Sequence, residues 1–332
     1  MKKKRLLVGL IILLIACSII SITIGSASIK ATEAARLIWL KIIGTNIDSV
    51  YGKIIFDIRL PRVILAMTVG AGLGVSGAVF QGIFKNPMAD PYILGISSGA
   101  ALGATLAIIL RLEAKGLFFT TIFAFVGAFV SLLLVYNIAK VGKKLPTATL
   151  LLAGVAINFL FSSMISLSMI LHREAMERIV YWTMGSFNEA SYKQIIVVLP
   201  IVVLISFIFN LSYRQLNIMA SGDEAAYTLG VEADKLKKYI ILLSSIMVAV
   251  IVSVSGVIGF IGLIIPHIAR LVVGANHREL IPFSFILGAL FLLTCDTLAR
   301  TIMAPTELPV GAITSIFGAP FFIYLLWKRK RG

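Results

Sequence analysis

A chain of 332 residues that is 59% hydrophobic and only 14% charged is not a soluble globule, because it has too little polar surface to face water along most of its length. Its net charge of +15 does not describe a nucleic-acid surface, since the basic residues gather at the ends of apolar runs. Lys2–Arg5, then Lys140, Lys143 and Lys144, then Lys235, Lys237 and Lys238, and finally Lys328–Arg331 fall at both ends of the chain and on alternate loops, a positive-inside pattern that places both termini in the cytoplasm.

Apolar runs such as Leu6–Ile24, Ile195–Phe209 and Tyr239–Val254 are near the length of about 20 residues that an α-helix needs to cross a bilayer. The expected fold is therefore all-α: a polytopic transmembrane helical bundle of about ten spans near 6–28, 62–82, 93–110, 117–139, 147–170, 194–211, 239–256, 258–273, 281–302 and 309–327. The first imitates a secretory signal, with Leu14-Ile15-Ala16-Cys17 imitating a lipoprotein cleavage site. Its apolar run is too long for a typical signal, so it is read as a retained helix. Cys17 and Cys295 lie in different apolar spans and predict neither a disulfide nor a cysteine metal site.

The outer excursion Ile29–Asp57 carries Trp39 and Tyr51, and a second at Leu171–Tyr192 carries Tyr181 and Trp182, aromatic rings suited to the headgroup zone. The next span opens on Arg59-Leu60-Pro61-Arg62 and repeats a small residue every fourth position: Ala66, Gly70, Gly74, Ala78 and Gly82. Gly95, Gly99, Gly103 and Ala107 repeat it on the span after. Small residues at this spacing let helix backbones approach closely in lipid, and the same groove is alternatively a passage wall.

Nothing in the chain forms a catalytic set. His172, His267 and His277 are scattered, with no Asp or Glu at metal-ligand spacing, and there is no phosphate-cradling GxxxxGK[ST] loop. The chain is thus expected to be no enzyme and to hold no metal or cofactor. Within the spans only Asp296 is a deeply placed acid, with Arg300 one turn on and able to pair with it locally. That scarcity of buried carboxylates disfavours a self-powered secondary carrier or channel; a non-transport membrane scaffold is allowed but not demanded. On the inner side, Asn217–Val231 is polar yet patterned for short helices. Gly222, Asp223 and Glu224 open one, Ala225, Ala226 and Leu229 give it an apolar face, and Gly230 ends it. Such an element suits docking into another protein.

Several of these stretches resemble signatures of the iron-chelate and vitamin B12 importer permeases of the FecCD/BtuC type: Arg59–Arg62 running to Asn86-Pro87-Met88-Ala89-Asp90-Pro91, Leu151–Ala156, Tyr181–Ser186, Gly259–Arg270, Glu307–Gly311 and Gly318–Phe322. The resemblance covers Arg59 to the C-terminus. It implies a type II ABC importer permease fold in the cell membrane, with residues 1–332 forming a single transmembrane permease domain. It implies a second permease copy, two copies of an ABC ATPase and an extracytoplasmic substrate-binding protein as partners, with no nucleic acid.

Residue by residue, it makes 213–238 an ATPase-coupling loop with Gly222, Asp223, Glu224, Ala225, Ala226, Leu229 and Gly230 at the matching positions. It makes Thr147 and Ala148 a narrow cytoplasmic gate, with Leu152, Asn158 and Ser162 lining the path above it. Arg59, Arg62 and Arg300 become the docking arginines for acidic residues of the binding protein. Members carry ferric siderophores, haem, corrinoids or oxyanions such as molybdate, and an iron chelate is the expected cargo on family frequency. Glu224→Pro is the change expected to uncouple ATP hydrolysis from uptake.

Overall fold

The computed structural model describes residues 2–25, 29–45, 49–112, 116–142 and 145–331. Lys143 and Lys144 of the basic clusters lie outside them, as do the side chains of Asp223 and of residues 328–331.

Among the described residues the chain is helical and contains no β-strand. Helix α1 (Lys2–Thr23) is followed by α2 (Ala31–Ile42), which buries Ala34 and Leu37 and leaves Trp39 exposed. Next come α3 (Val50–Lys53), a π-helical turn at Ile54–Arg59 and α4 (Leu60–Ile83), which form one continuous 34-residue rod, Val50–Ile83. The polar excursion expected to run to Asp57 thus ends in helix. Pro61 does not break the rod because the wider π turn just before it, where Leu60 N bonds to Ile55 O, relieves the clash a proline ring makes with the carbonyl four residues back.

A 3₁₀ turn at Pro91–Leu94 leads to α5 (Ile96–Ile109), then α6 (Leu117–Ala139), α7 (Thr147–Leu171), α8 (Met176–Thr183) and α9 (Tyr192–Leu211). The inner excursion folds as α10 (Tyr213–Ala220) and α11 (Asp223–Thr228). The chain ends with α12 (Ala233–Ser255), α13 (Ile261–Val273), α14 (His277–Thr301) and α15 (Val310–Arg331). Among the described residues seven helices are long and apolar enough to span, and α5, α13 and the Val310–Tyr324 part of α15 are shorter apolar segments. Together they match the ten expected spans one for one.

The small-residue repeat of α4 explains how the bundle closes. A Cβ on Gly70 would overlap the Gly288 carbonyl of α14, one on Gly288 would overlap the Gly70 carbonyl, and one on Gly77 would overlap Gly262 of α13. Backbones in direct contact gain dispersion where lipid offers no hydrophobic drive. Hence α4 sits in the centre, packed on α9, α12, α13 and α14, and the repeat is packing within the subunit rather than a passage wall.

Helix α13 is 13 residues long, about 20 Å against a hydrocarbon thickness of about 30 Å. The non-helical residues 256–260 cover the remainder. Irregular backbone survives at that depth only inside protein, and Gly256 and Ile258 are buried. Neighbouring loop groups are satisfied through Ser186 N to Ser255 O, Val310 N to Gly185 O and Gly311 N to Met184 O.

Lys3 at the start of α1 donates to Val273 O at the end of α13 and pairs with Glu279 in the first turn of α14. Asn217 of α10 meets the same turn at His277. The N-terminus therefore shares the inner end with α10 and α11, while Ile24, Arg59 and Arg300 occupy the opposite, outer end.

Candidate functional site

The inner segment carries its helices on two glycines with left-handed φ: Gly222 (φ 134°) before α11 and Gly230 (φ 77°) after it, where a Cβ would be strained. Its expected apolar face is divided by the fold. Ala226 is fully buried against Met219 and Ala233, whereas Leu229 and Tyr227 are 64% and 54% exposed. Glu224 is exposed and Ala225 half-buried. Ala226 thus anchors α11 to the bundle, and Leu229 and Tyr227 form the outward tip, with Tyr227 Oη donating to Asp234 Oδ2 at 2.8 Å.

Asn217 is the member of this segment that sequence reasoning passed over. Its Oδ1 accepts from the backbone N of His277 (2.9 Å) and lies 2.8 Å from His277 Nδ1, while its Nδ2 donates to Asn276 Oδ1 at 2.9 Å. One amide therefore ties α10 to the first turn of α14. A lone Asn before a polar loop gives no hint of partners 60 residues ahead.

The predicted path residues all lie on α7. Ala148, Leu152, Asn158 and Ser162 are exposed and Thr147 is half-buried. At 100° per residue the four exposed ones fall within an arc of about 120°, while Leu150, Ala153, Gly154, Ile157, Phe161 and Ile165 turn inward. The exposed face combines large apolar residues, such as Phe159 at 70% exposed, with polar Asn158, Ser162 and Ser166 along the span.

At the outer end, Arg59, Arg62 and Arg300 come together, but inside the fold: they are only 4%, 5% and 3% exposed. Arg62 Nε donates to Asp296 Oδ1 and Oδ2 at 3.0 and 3.2 Å, and its Nη1 donates to Glu307 Oε2 at 2.7 Å. Arg300 Nε stands 3.2 Å from Asp296 Oδ2, the one-turn pairing expected from the sequence. Arg62 Nη2 also pairs with Asp296 Oδ1 at 2.9 Å, whereas Arg59 and Arg300 reach α1. Arg59 Nη1 donates to the Ile22 and Thr23 carbonyls (2.9 and 2.8 Å), and Arg300 donates to Ser21 Oγ and to the Ser21 and Ile24 carbonyls.

The last carbonyls of a helix have no intrahelical donor, and α1 has no basic residue in its own last turn. Two arginines from distant helices do that work. Glu307 and Ser21 are the partners that the sequence did not flag. Among the described residues Asp296 and Glu307 are the carboxylates of this cluster. A depression of about 240 Å³ opens onto the cluster, lined by Gly25, Ile54, Ile58, the three arginines and Glu307.

The loop after α4 places a third charged group inside. Asp90 is 8% exposed and accepts from Tyr92 N at 2.8 Å, starting the 3₁₀ turn beside Gly262. Burial pushes its carboxyl up to about 6 from 3.8, so the folded chain holds that proton more tightly than the unfolded one. Stability is then greatest at low pH and falls as pH rises from about 4 to about 6, by about 3 kcal/mol in all. Asp90→Asn keeps the acceptor for Tyr92 N and removes the charge. Melting in detergent should show the variant more stable than the parent at neutral pH, with the gap closing toward pH 4; a pH-independent gap would refute the burial argument.

Among the described residues no group of three or more His, Cys, Asp or Glu could hold a metal ion; Cys17 and Cys295 are free.

Comparison with known proteins gives these features a context. The family model for the FecCD transport family matches residues 13–328. The molybdate import system permease protein MolB of Haemophilus influenzae is 38% identical, over 99% of this chain and 97% of that one. The cobalamin import system permease protein BtuC of Halobacterium salinarum is 44% identical, over 83% and 74% respectively. A solved metal-chelate type ABC transporter in an inward-facing conformation superposes with a TM-score of 0.85 at 35% identity, over 98% of this chain and 99% of its own. The chain belongs to the FecCD transport family and is a multi-pass membrane permease subunit of an ABC importer.

Proposed function

We propose that this subunit carries a bulky metal chelate, a ferric siderophore foremost, into the cytoplasm, along a path between two copies of the chain. A separate ATPase, present in two copies, drives it. The observation that carries this reading is the outward face of α7. Asn158, Ser162 and Ser166 are exposed on a helix long enough to span, and polar side chains at that depth belong against protein or a water-lined cavity rather than lipid. A second copy set face to face with the first would enclose a path there, with Thr147 and Ala148 at its inner mouth and Leu152 above them.

The inner segment supports the ATPase as driver. Gly222 to Gly230 present Leu229 and Tyr227 outward on a short helix held by Ala226, which is the form of a plug for a cleft. At the outer end, the depression lined by Arg59, Arg62 and Arg300 suits an acidic side chain of a binding protein. The relatives named for molybdate and cobalamin are alternative guides to the cargo. The metal-chelate transporter, which matches nearly the whole chain, favours a chelate.

Native mass spectrometry of the complex extracted gently from membranes tests the assembly. The expected mass is two copies of this chain with two of an ATPase, and loading with ferric siderophore should raise ATP hydrolysis in vesicles holding the binding protein. This chain alone moving solute without ATP would replace the reading with a carrier or channel.

A further inference from the structure

Two arginines far apart in the chain meet on one tyrosine at the inner end. Arg214 belongs to the first turn of α10 and Arg278 to the first turn of α14. The central carbon of the Arg214 guanidinium lies 5.7 Å from the centre of the Tyr213 ring, and that of Arg278 lies 5.8 Å from it. Arg214 Nε also donates to Tyr213 Oη at 3.0 Å. The bonds from Asn217 to Asn276 and His277 lock the same two helices together, so the fold itself sets this meeting of cations.

Like charges around one ring repel, and a cation–π contact at an exposed site returns little. A carboxylate between them would settle the pair, but none is supplied. Helix α10 contains no acid, and Glu279, the acid in the first turn of α14, is paired with Lys3. Among the described residues neither guanidinium meets a carboxylate. Both side chains are exposed. The terminal N–H groups of Arg214 and all those of the Arg278 side chain therefore face outward toward an acceptor from elsewhere.

Their depth points to what that acceptor is. Helix α9 is long and apolar enough to span and ends at Leu211, which is 62% exposed; Tyr213 follows two residues later. Arg278 is the second residue of α14, which also spans. The cluster thus stands where hydrocarbon gives way to headgroups, the zone that aromatic rings and long basic side chains favour. Helix α10, eight residues long and so about 12 Å, separates it from α11 and the outward tip at Tyr227 and Leu229.

We propose that Arg214 and Arg278 bind the phosphate of an anionic phospholipid of the inner leaflet, such as phosphatidylglycerol, with Tyr213 positioning the two donors. A guanidinium presents paired N–H groups that match two phosphate oxygens. A zwitterionic headgroup offers the same oxygens but carries an ammonium that two neighbouring cations repel. The lipid joins α10 to α14 from the bilayer side, as Asn217 does from the protein side. The site stands on the cluster and its depth and does not depend on the transport reading.

The test is native mass spectrometry of the full-length chain in detergent, titrated with phosphatidylglycerol and with phosphatidylcholine of the same acyl chains. Phosphatidylglycerol is expected to bind at least about ten-fold more tightly. Arg214→Gln and Arg278→Gln should each weaken it about five-fold, the usual worth of one basic residue at an anionic surface. The double variant should lose most of the preference while its phosphatidylcholine binding and its melting temperature in detergent stay those of the parent. Inorganic phosphate at matched ionic strength should leave the lipid in place. Equal binding of the two lipids, an unchanged preference in the double variant, or displacement by inorganic phosphate overturns the proposal. A double variant that keeps its lipid but loses an ATPase from the extracted complex would overturn it as well, and would assign the arginines to a protein partner.

Discussion

Asp296→Ala should sharply reduce the yield and melting temperature of the detergent-extracted chain. Asp296 is fully buried between Arg62 and Arg300, themselves 5% and 3% exposed. Removing it leaves Arg62 with Glu307 and Arg300 with no carboxylate partner among the described contacts. Breaking a buried ion pair from one side costs about 3–5 kcal/mol, because the surviving charge has lost both water and partner.

The damage should extend to α1, since Arg300 also holds the carbonyls of Ser21 and Ile24 and depends on Asp296 for its own position. Limited proteolysis near residue 25 should therefore accelerate. Asp296→Asn, which keeps an acceptor for Arg62 Nε, should fall between parent and alanine variant. An alanine variant that melts with the parent would show that the cluster contributes no stability.

Ala226→Pro should abolish uptake while the membrane bundle melts as before. Ala226 N donates to Gly222 O at 2.9 Å, Val231 N donates to Ala226 O at 2.8 Å, and the side chain is fully buried between Met219 and Ala233. Proline removes the first bond and finds no room for its ring. A helix-interior proline costs about 3 kcal/mol, enough to reduce the docked helix about 100-fold, and a six-residue helix has no stability of its own to resist it.

Glu224, where the sequence located the vulnerable point, is the second residue of α11. Its N–H is one that a helix leaves unbonded, so Glu224→Pro should be far milder. Measuring uptake and ATP hydrolysis in both variants distinguishes the two positions. Normal uptake in Ala226→Pro would remove α11 from the coupling role.

The comparison of Ala226 with Glu224 also shows where local reading stops. The glycines at 222 and 230 announce where α11 begins and ends, because a left-handed backbone is a property of the residue itself. Which alanine faces the bundle depends on Met219 and Ala233, and nothing within α11 encodes their position. The arginines make the same point at larger scale. Arg59, Arg62 and Arg300 were legible as a set belonging to the outer end. Their burial was not, since the groups they satisfy are Ser21 to Ile24, whose need for donors arises only because α1 ends beside α4 and α14.

By itself, then, the sequence determined what short-range chemistry controls: the ten apolar segments, the side of each basic loop, the close-packing repeat on α4, and the bounds of the inner helix. Hydropathy, charge and φ preference act over one or two turns and need no partner. Only the tertiary structure decided that the π turn carries Val50 into α4, that the repeat faces α13 and α14, that Leu229 points out while Ala226 points in, and that Asn217 and His277 share a proton donor and acceptor. Each of these depends on a contact between residues far apart in the chain, and burial comes into being only when those contacts form.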